Sequence, residues 1–222
     1  MDIIVNFLLS QSILLPIIVS LVRIKRLEKI YYPFFIVLLL GLLAEVASFI
    51  FINVFKVSNA PVIKVYSLFE CCLIIYQLYL WKNFSKNRQW FMIALVICIT
   101  FWIVETIAFL NINTFSPYFR VFYAFVIVLL SINQINGMIF NHKESLFKNP
   151  RFLLSLGFII FFLYQIIYEA SYYVGSDQSV VATKIIIGFG YINFVINLLY
   201  AIAIYLITSK HEDNYNHYFN ER

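Results

Sequence analysis

Pro61–Trp81 reads PVIKVYSLFECCLIIYQLYLW. This run has the ~20 residues that carry a helix across about 30 Å of hydrocarbon. Pro61 stands at its start, where a missing backbone N–H costs nothing. Its apolar residues are continuous rather than alternating, which excludes the strand of a membrane β-barrel. Six runs of the same kind lie at about 3–22, 32–54, 90–110, 117–140, 151–173 and 183–208. Pro33, Pro117 and Pro150 again fall at expected helix starts, and Pro16 alone lies inside a run, where it is expected to kink the helix. The expected fold is all-α: a polytopic membrane bundle of seven transmembrane helices over 1–208, followed by a short polar tail over 209–222.

Composition leads to the same class. The 222 residues are 63% hydrophobic and 12% charged, against about 45–50% and about 25% in soluble domains. A soluble fold could not hide so much apolar surface, so the bilayer is the expected solvent and first partner. The net charge of +5 does not indicate nucleic acid, because the basic residues lie in short clusters between apolar runs.

Those clusters set the expected orientation. Arg23, Lys25, Arg26, Lys29, Lys82, Lys86, Arg88, Lys143, Lys148, Arg151, Lys210 and Arg222 are twelve of the sixteen basic residues, and all fall on one side. Only Lys56, Lys64, Arg120 and Lys184 remain for the other. The positive-inside rule then places the N-terminus outside and the C-terminus in the cytoplasm. Met1-Asp2 carries no basic segment ahead of the first apolar run, the layout of an uncleaved N-out anchor. The expected location is a cell membrane, as in a bacterial inner membrane. Trp81 and Trp90 bracket one loop in the manner of interfacial anchors.

Four glutamates interrupt the apolar runs: Glu45, Glu70, Glu105 and Glu169. A central charge costs roughly 2.5–3.5 kcal/mol on insertion scales, so such a residue faces a protein interior or a wet cavity and marks function by default. Glu70 is the deepest. Lys64, Arg120 and Lys184 lie near the outer ends of their helices, where ion pairs or a shared proton would keep the carboxylates in the membrane. Helical spacing aligns further polar groups: Tyr66, Glu70 and Gln77; Gln165, Glu169 and Tyr172; Asn193, Asn197 and Tyr200 with Gly190; Arg120, Ser131 and Gln134. Glu70, Glu45, Glu105, Glu169, Tyr66, Arg120, Lys64, Gln165 and Asn193 are therefore the expected ligand-binding residues. A purely structural role, in which buried amides join helices at about 0.6 kcal/mol each, is the competing account for the Asn and Gln residues. Glu45–Phe49 and Glu105–Phe109 look alike, with Asn53 and Asn113 at the same distance; chance and a duplicated hairpin both explain that match.

Enzyme signatures are missing. His142, His211 and His217 lie outside the spans, Asp2, Asp177 and Asp213 are terminal or in loops, and there is no HExxH, GxSxG or P-loop pattern. Cys71, Cys72 and Cys98 read as small buried apolar residues. No catalytic residue, metal or cofactor is expected, and the chain leans away from enzymes.

Tyr66–Glu70, the run from Pro150 through Tyr164 and the Asn-bearing last span resemble those of small seven-helix bacterial integral membrane proteins. The resemblance implies the seven-helix fold over most of the chain and carries no activity with it. The Pro-Gln dipeptide of PQ-loop and sugar-exporter families is absent, although seven N-out spans suit that layout. Two functions stay open: a protein that binds or transports a small cationic or zwitterionic solute, or protons, in an outward-facing carboxylate-lined cavity; and an accessory or sensory subunit acting through a membrane protein partner.

Overall fold

The computed structural model describes residues 9, 11–81, 88–109, 112, 117–141, 146–173 and 180–207. The start of the first run, the tail after Ile207, all three histidines and the loop lysines Lys82, Lys86 and Lys143 lie outside the described residues. The described residues form seven helices and no strand. They are α1 (Leu14–Val22), entered through a 3₁₀ turn Gln11–Ile13; α2 (Tyr32–Asn53), entered through Lys29–Tyr31; α3 (Ala60–Leu80); α4 (Arg88–Ile103); α5 (Tyr118–Asn141); α6 (Pro150–Tyr173); and α7 (Val180–Tyr205). A π-helical turn, Val104–Phe109, continues α4.

Six of these helices are long and apolar enough to cross a membrane, from 25 residues at Lys29–Asn53 down to 19 at Ile187–Tyr205. The apolar helix Gln11–Val22 is shorter; at 1.5 Å per residue it reaches ~18 Å. Pro33 and Pro61 sit in the first turns of α2 and α3, Pro150 opens α6, and Pro117 directly precedes α5. Each lies where its missing donor is not needed. No more than half of the apolar window of any spanning helix is buried inside the bundle. The outward faces carry Leu43, Phe49, Val96, Ile107, Phe125, Phe140 and Val195, a surface that water would not tolerate and lipid does.

The helices close into a ring. Packing is most extensive between α5 and α6 and between α6 and α7; α7 packs on α1, α1 on α2, α2 on α3 and α3 on α5. Helix α4 lies outside this ring, against α3 and more lightly α5. The closure of first helix on last is polar as well as apolar. Asn197 donates to Ser12 Oγ at 2.8 Å, and the Arg23 guanidinium stands 4.7 Å from the centre of the Tyr205 ring and donates to the Tyr205 carbonyl.

At the end where α2 begins, Gln77 of α3 clamps the neighbouring chain. Its Oε1 accepts from the Phe34 N–H at 3.0 Å, and its Nε2 donates to the Ile30 carbonyl. Gln77 thus joins helices and does not reach Glu70, although the two share a face of α3. Trp81 is also no interfacial anchor. It is 3% exposed and packs against Tyr31 and Phe158 in the core, whereas Trp90 is exposed. The difference is physical: α3 lines the ring, so its last turn is enclosed, while α4 lies outside it.

Candidate functional site

The polar residues gather toward the opposite end, where α3, α5 and α7 begin and α4 and α6 finish. Glu70 lies ten residues into α3, ~15 Å from its start. Both of its carboxylate oxygens are held. Tyr66, one turn earlier on the same helix, donates to Oε1 at 2.9 Å, and Tyr123 of α5 donates to Oε2 at 2.5 Å. The Tyr123 hydroxyl accepts in turn from Gln165 Nε2 of α6 at 3.0 Å. This chain ties three helices to one carboxylate. Gly41 of α2 leaves room for it: a methyl group there would stand 3.2 Å from the Tyr66 oxygen and 2.9 Å from Ile13 Cδ1.

Nearer the helix ends lies a second tier of charge. Arg120 Nη1 of α5 approaches Glu169 Oε1 of α6 at 2.6 Å, and Glu169 is fully buried. The contact is a single approach rather than a two-pronged fork. Arg120 Nε and both Glu169 oxygens are buried without a well-directed hydrogen bond. The Arg120 guanidinium also attracts Glu70. Glu105, carried by the π-turn, accepts the Phe119 N–H at 2.7 Å and also takes the Tyr118 N–H. It therefore caps the first turn of α5, satisfying donors that a helix start leaves open. Lys64, 5% exposed on α3, attracts Glu105. Its carbonyl accepts from the Trp102 indole at 3.0 Å, joining α3 to α4.

Below the tyrosines, Glu70 faces a cavity of about 60 Å³. Tyr66, Asn193, Asn197 and Tyr200 supply its other polar groups, and its remaining walls are aromatic and aliphatic, with Phe34, Phe158 and Phe162 foremost. Asn193 is held against Asn197 at 3.3 Å. The rings of Phe34 and Phe158 each lie edge-on to Tyr200, with centroids 5.0 and 5.8 Å away.

Of the nine residues expected from the sequence, the structure places seven in two neighbouring groups: Glu70, Tyr66 and Gln165, joined through Tyr123, and the charged residues Arg120, Glu169, Glu105 and Lys64. Asn193 lies on the cavity with Glu70. Glu45 joins neither group. Its Oε2 is buried without a partner, and among the described residues no hydrogen bond or ion pair reaches it. Gly41 is the last fully buried residue of α2, and Glu45, one turn further on, is only half-buried. Lys184 is exposed and also stands apart, and the side chain of Tyr172 is outside the described residues. Tyr123 is the residue that sequence reading passed over. It is fully buried yet is one of sixteen tyrosines in a chain where aromatics look like lipid-facing packing. Its position three residues after Arg120, on the same helical face, is the one signal that singles it out.

Cys71 and Cys98 are buried and unbridged, and Cys72 is half-buried. Among the described residues no group of three metal-ligating side chains is close enough to hold an ion. Comparison with protein-family models, with curated proteins and with solved structures gave no match to this chain.

Proposed function

We propose that this chain is a seven-span membrane protein, N-terminus outside and C-terminus cytoplasmic, that binds and carries a small cationic solute at Glu70. One observation supports the reading above the others: Glu70 lines the central cavity with both oxygens fixed by tyrosine hydroxyls. Two donors orient the carboxylate and leave about half of its lone pairs free for a ligand. A carboxylate so placed inside a membrane bundle is an ion or substrate site by default. With the cytoplasmic side assigned from the basic loops, the end bearing Lys64, Glu105 and Arg120 faces outward.

Two measurements test this. Glu70→Gln in proteoliposomes abolishes cation-dependent uptake, or ligand-induced thermal stabilisation, while the protein still inserts and remains monodisperse. Wild-type behaviour of that variant removes the site. A fluorescent protein fused to the C-terminus is expected to glow; an active periplasmic reporter at that position reverses the orientation.

A second reading is favoured by the upper tier. Glu105 caps α5 and Glu169 neutralises Arg120, so these carboxylates fasten helices together. If Glu70→Gln were equally tolerated and one stoichiometric membrane partner co-purified, an accessory or sensory subunit would be the better description.

A further inference from the structure

We infer that the solute is a monovalent organic ammonium ion with a short apolar chain, about four to six heavy atoms in all. This inference rests on the Glu70 reading above and deepens it. Charge sets the valence. In the upper tier Lys64 and Arg120 balance Glu105 and Glu169, two positive against two negative. With all five groups ionised, Glu70 is left as one excess negative charge in the cluster, and a single positive charge in the cavity completes the balance. A divalent ion would exchange one buried excess charge for another.

The walls select among monovalent cations. A metal ion the size of sodium or larger wants a shell of oxygens, and here aromatic rings and aliphatic side chains occupy most of the wall. Phe34, Phe158, Phe162 and Tyr200 line the cavity, and aromatic rings attract an organic cation and pack against its alkyl chain. An ammonium N–H would reach the free lone pairs of Glu70, and its alkyl carbons would lie among the rings. A zwitterion is disfavoured because no cationic side chain lines the cavity; Arg120 is turned to Glu169 and Lys64 to Glu105. Size follows from volume. At about 10–15 Å³ for each water-sized occupant, 60 Å³ holds about four to six heavy atoms.

The test is titration calorimetry on the full chain in nanodiscs, with n-propylammonium, n-propanol, glycine and sodium chloride as probes. n-Propylammonium is expected to bind, and its uncharged and zwitterionic counterparts are not. Glu70→Gln weakens n-propylammonium binding about 10- to 100-fold, as expected for loss of a charge-assisted hydrogen bond. Phe162→Leu keeps an apolar side chain but removes the ring, and weakens it about 3- to 30-fold. If Glu70→Gln fails to fold, Phe162→Leu still decides, since a wild-type affinity in that variant overturns the aromatic selection. Glu70-dependent binding of sodium or glycine in place of n-propylammonium overturns the ammonium inference and leaves Glu70 as the site. Heat of protonation alone, with no probe bound by the wild type, also overturns it. Wild-type probe binding in a folded Glu70→Gln variant removes both this inference and the function proposed above.

Discussion

The Arg120–Glu169 pair gives the sharpest test of the upper tier, because charge counting predicts an asymmetry between its two halves. With charge centres about 4 Å apart and an effective dielectric near 20, the attraction is about 4 kcal/mol. Removing one partner of a buried pair generally costs about 3–5 kcal/mol, since the other charge remains desolvated. The two removals differ here. Arg120→Met takes the cluster of Glu70, Glu105, Glu169, Lys64 and Arg120 from a net charge of −1 to −2 and leaves Glu169 facing Glu105, which repels it. Glu169→Met takes the same cluster to zero, and Arg120 keeps its attraction to Glu70. Arg120→Met should therefore cost about 3–5 kcal/mol and Glu169→Met about 1–2 kcal/mol less than that. The pair lacks a two-pronged geometry and leaves Arg120 Nε and both Glu169 oxygens without directed hydrogen bonds. The double variant should accordingly return to within about 1 kcal/mol of the wild type or exceed it. Reversible SDS titration in mixed micelles, followed by the fluorescence of buried Trp81 and half-buried Trp102, measures all four corners of the cycle. A Glu169→Met loss equal to or larger than that of Arg120→Met would refute the charge balance on which the upper tier is built.

Three other perturbations separate capping, clamping and packing. Glu105→Gln keeps an acceptor for the Phe119 N–H and should cost less than Glu105→Ala, which loses the cap of α5 and about 1–2 kcal/mol in the same titration. Gln77→Leu leaves the Phe34 N–H and the Ile30 carbonyl unpartnered in the bundle; a loss of about 2–4 kcal/mol is expected, whereas a neutral result would mean that water reaches those groups. Gly157→Ala drives a methyl group into the Tyr200 ring, with Cδ1 only 3.1 Å away, and should cost about 1–3 kcal/mol while weakening n-propylammonium binding, because Tyr200 lines the cavity; unchanged calorimetry would separate Tyr200 from the site.

The helices were legible because each bears a local mark. Continuous apolar runs of the right length placed α2 through α7 within a few residues, and prolines marked the starts of α2, α3, α5 and α6. Glu70 was legible for the same local reason, being a lone carboxylate deep in such a run. What escaped depends on how helices turn toward one another. Tyr123 carries no local mark among so many aromatics; it becomes visible only when α5 is set against α3. Glu45 shares the inward spacing of Phe34, Leu38 and Gly41, so periodicity alone places it inside. Full burial on α2 ends at Gly41 and Glu45 is half-buried with no partner for its enclosed Oε2, and sequence spacing contains no term for where a neighbour stops. Gln77 shows the converse error: it shares a face with Glu70, but a face seven residues long spans ~10 Å, enough for its two ends to meet different partners.

The two tiers divide the cost of charge in a membrane differently, and that division is why the proposed solute is placed at Glu70. Glu105 and Glu169 are each answered by a cation within the bundle, and Glu105 by two backbone amides as well. Their charge is compensated whether or not anything enters the cavity, so a ligand gains little by approaching them. Glu70 is answered chiefly by two neutral hydroxyls and by an arginine already engaged with Glu169. Hydroxyl donors stabilise a carboxylate through hydrogen bonds but supply no net positive charge. Under the proposed function, the free-energy gradient for a mobile cation points at Glu70, and the tyrosines fix the direction from which it is approached. Tyr66→Phe and Tyr123→Phe would leave that gradient in place while loosening the aim. Each should weaken n-propylammonium binding less than Glu70→Gln does. A tyrosine variant as damaging as Glu70→Gln would mean that the hydroxyl itself, and not the carboxylate, meets the solute.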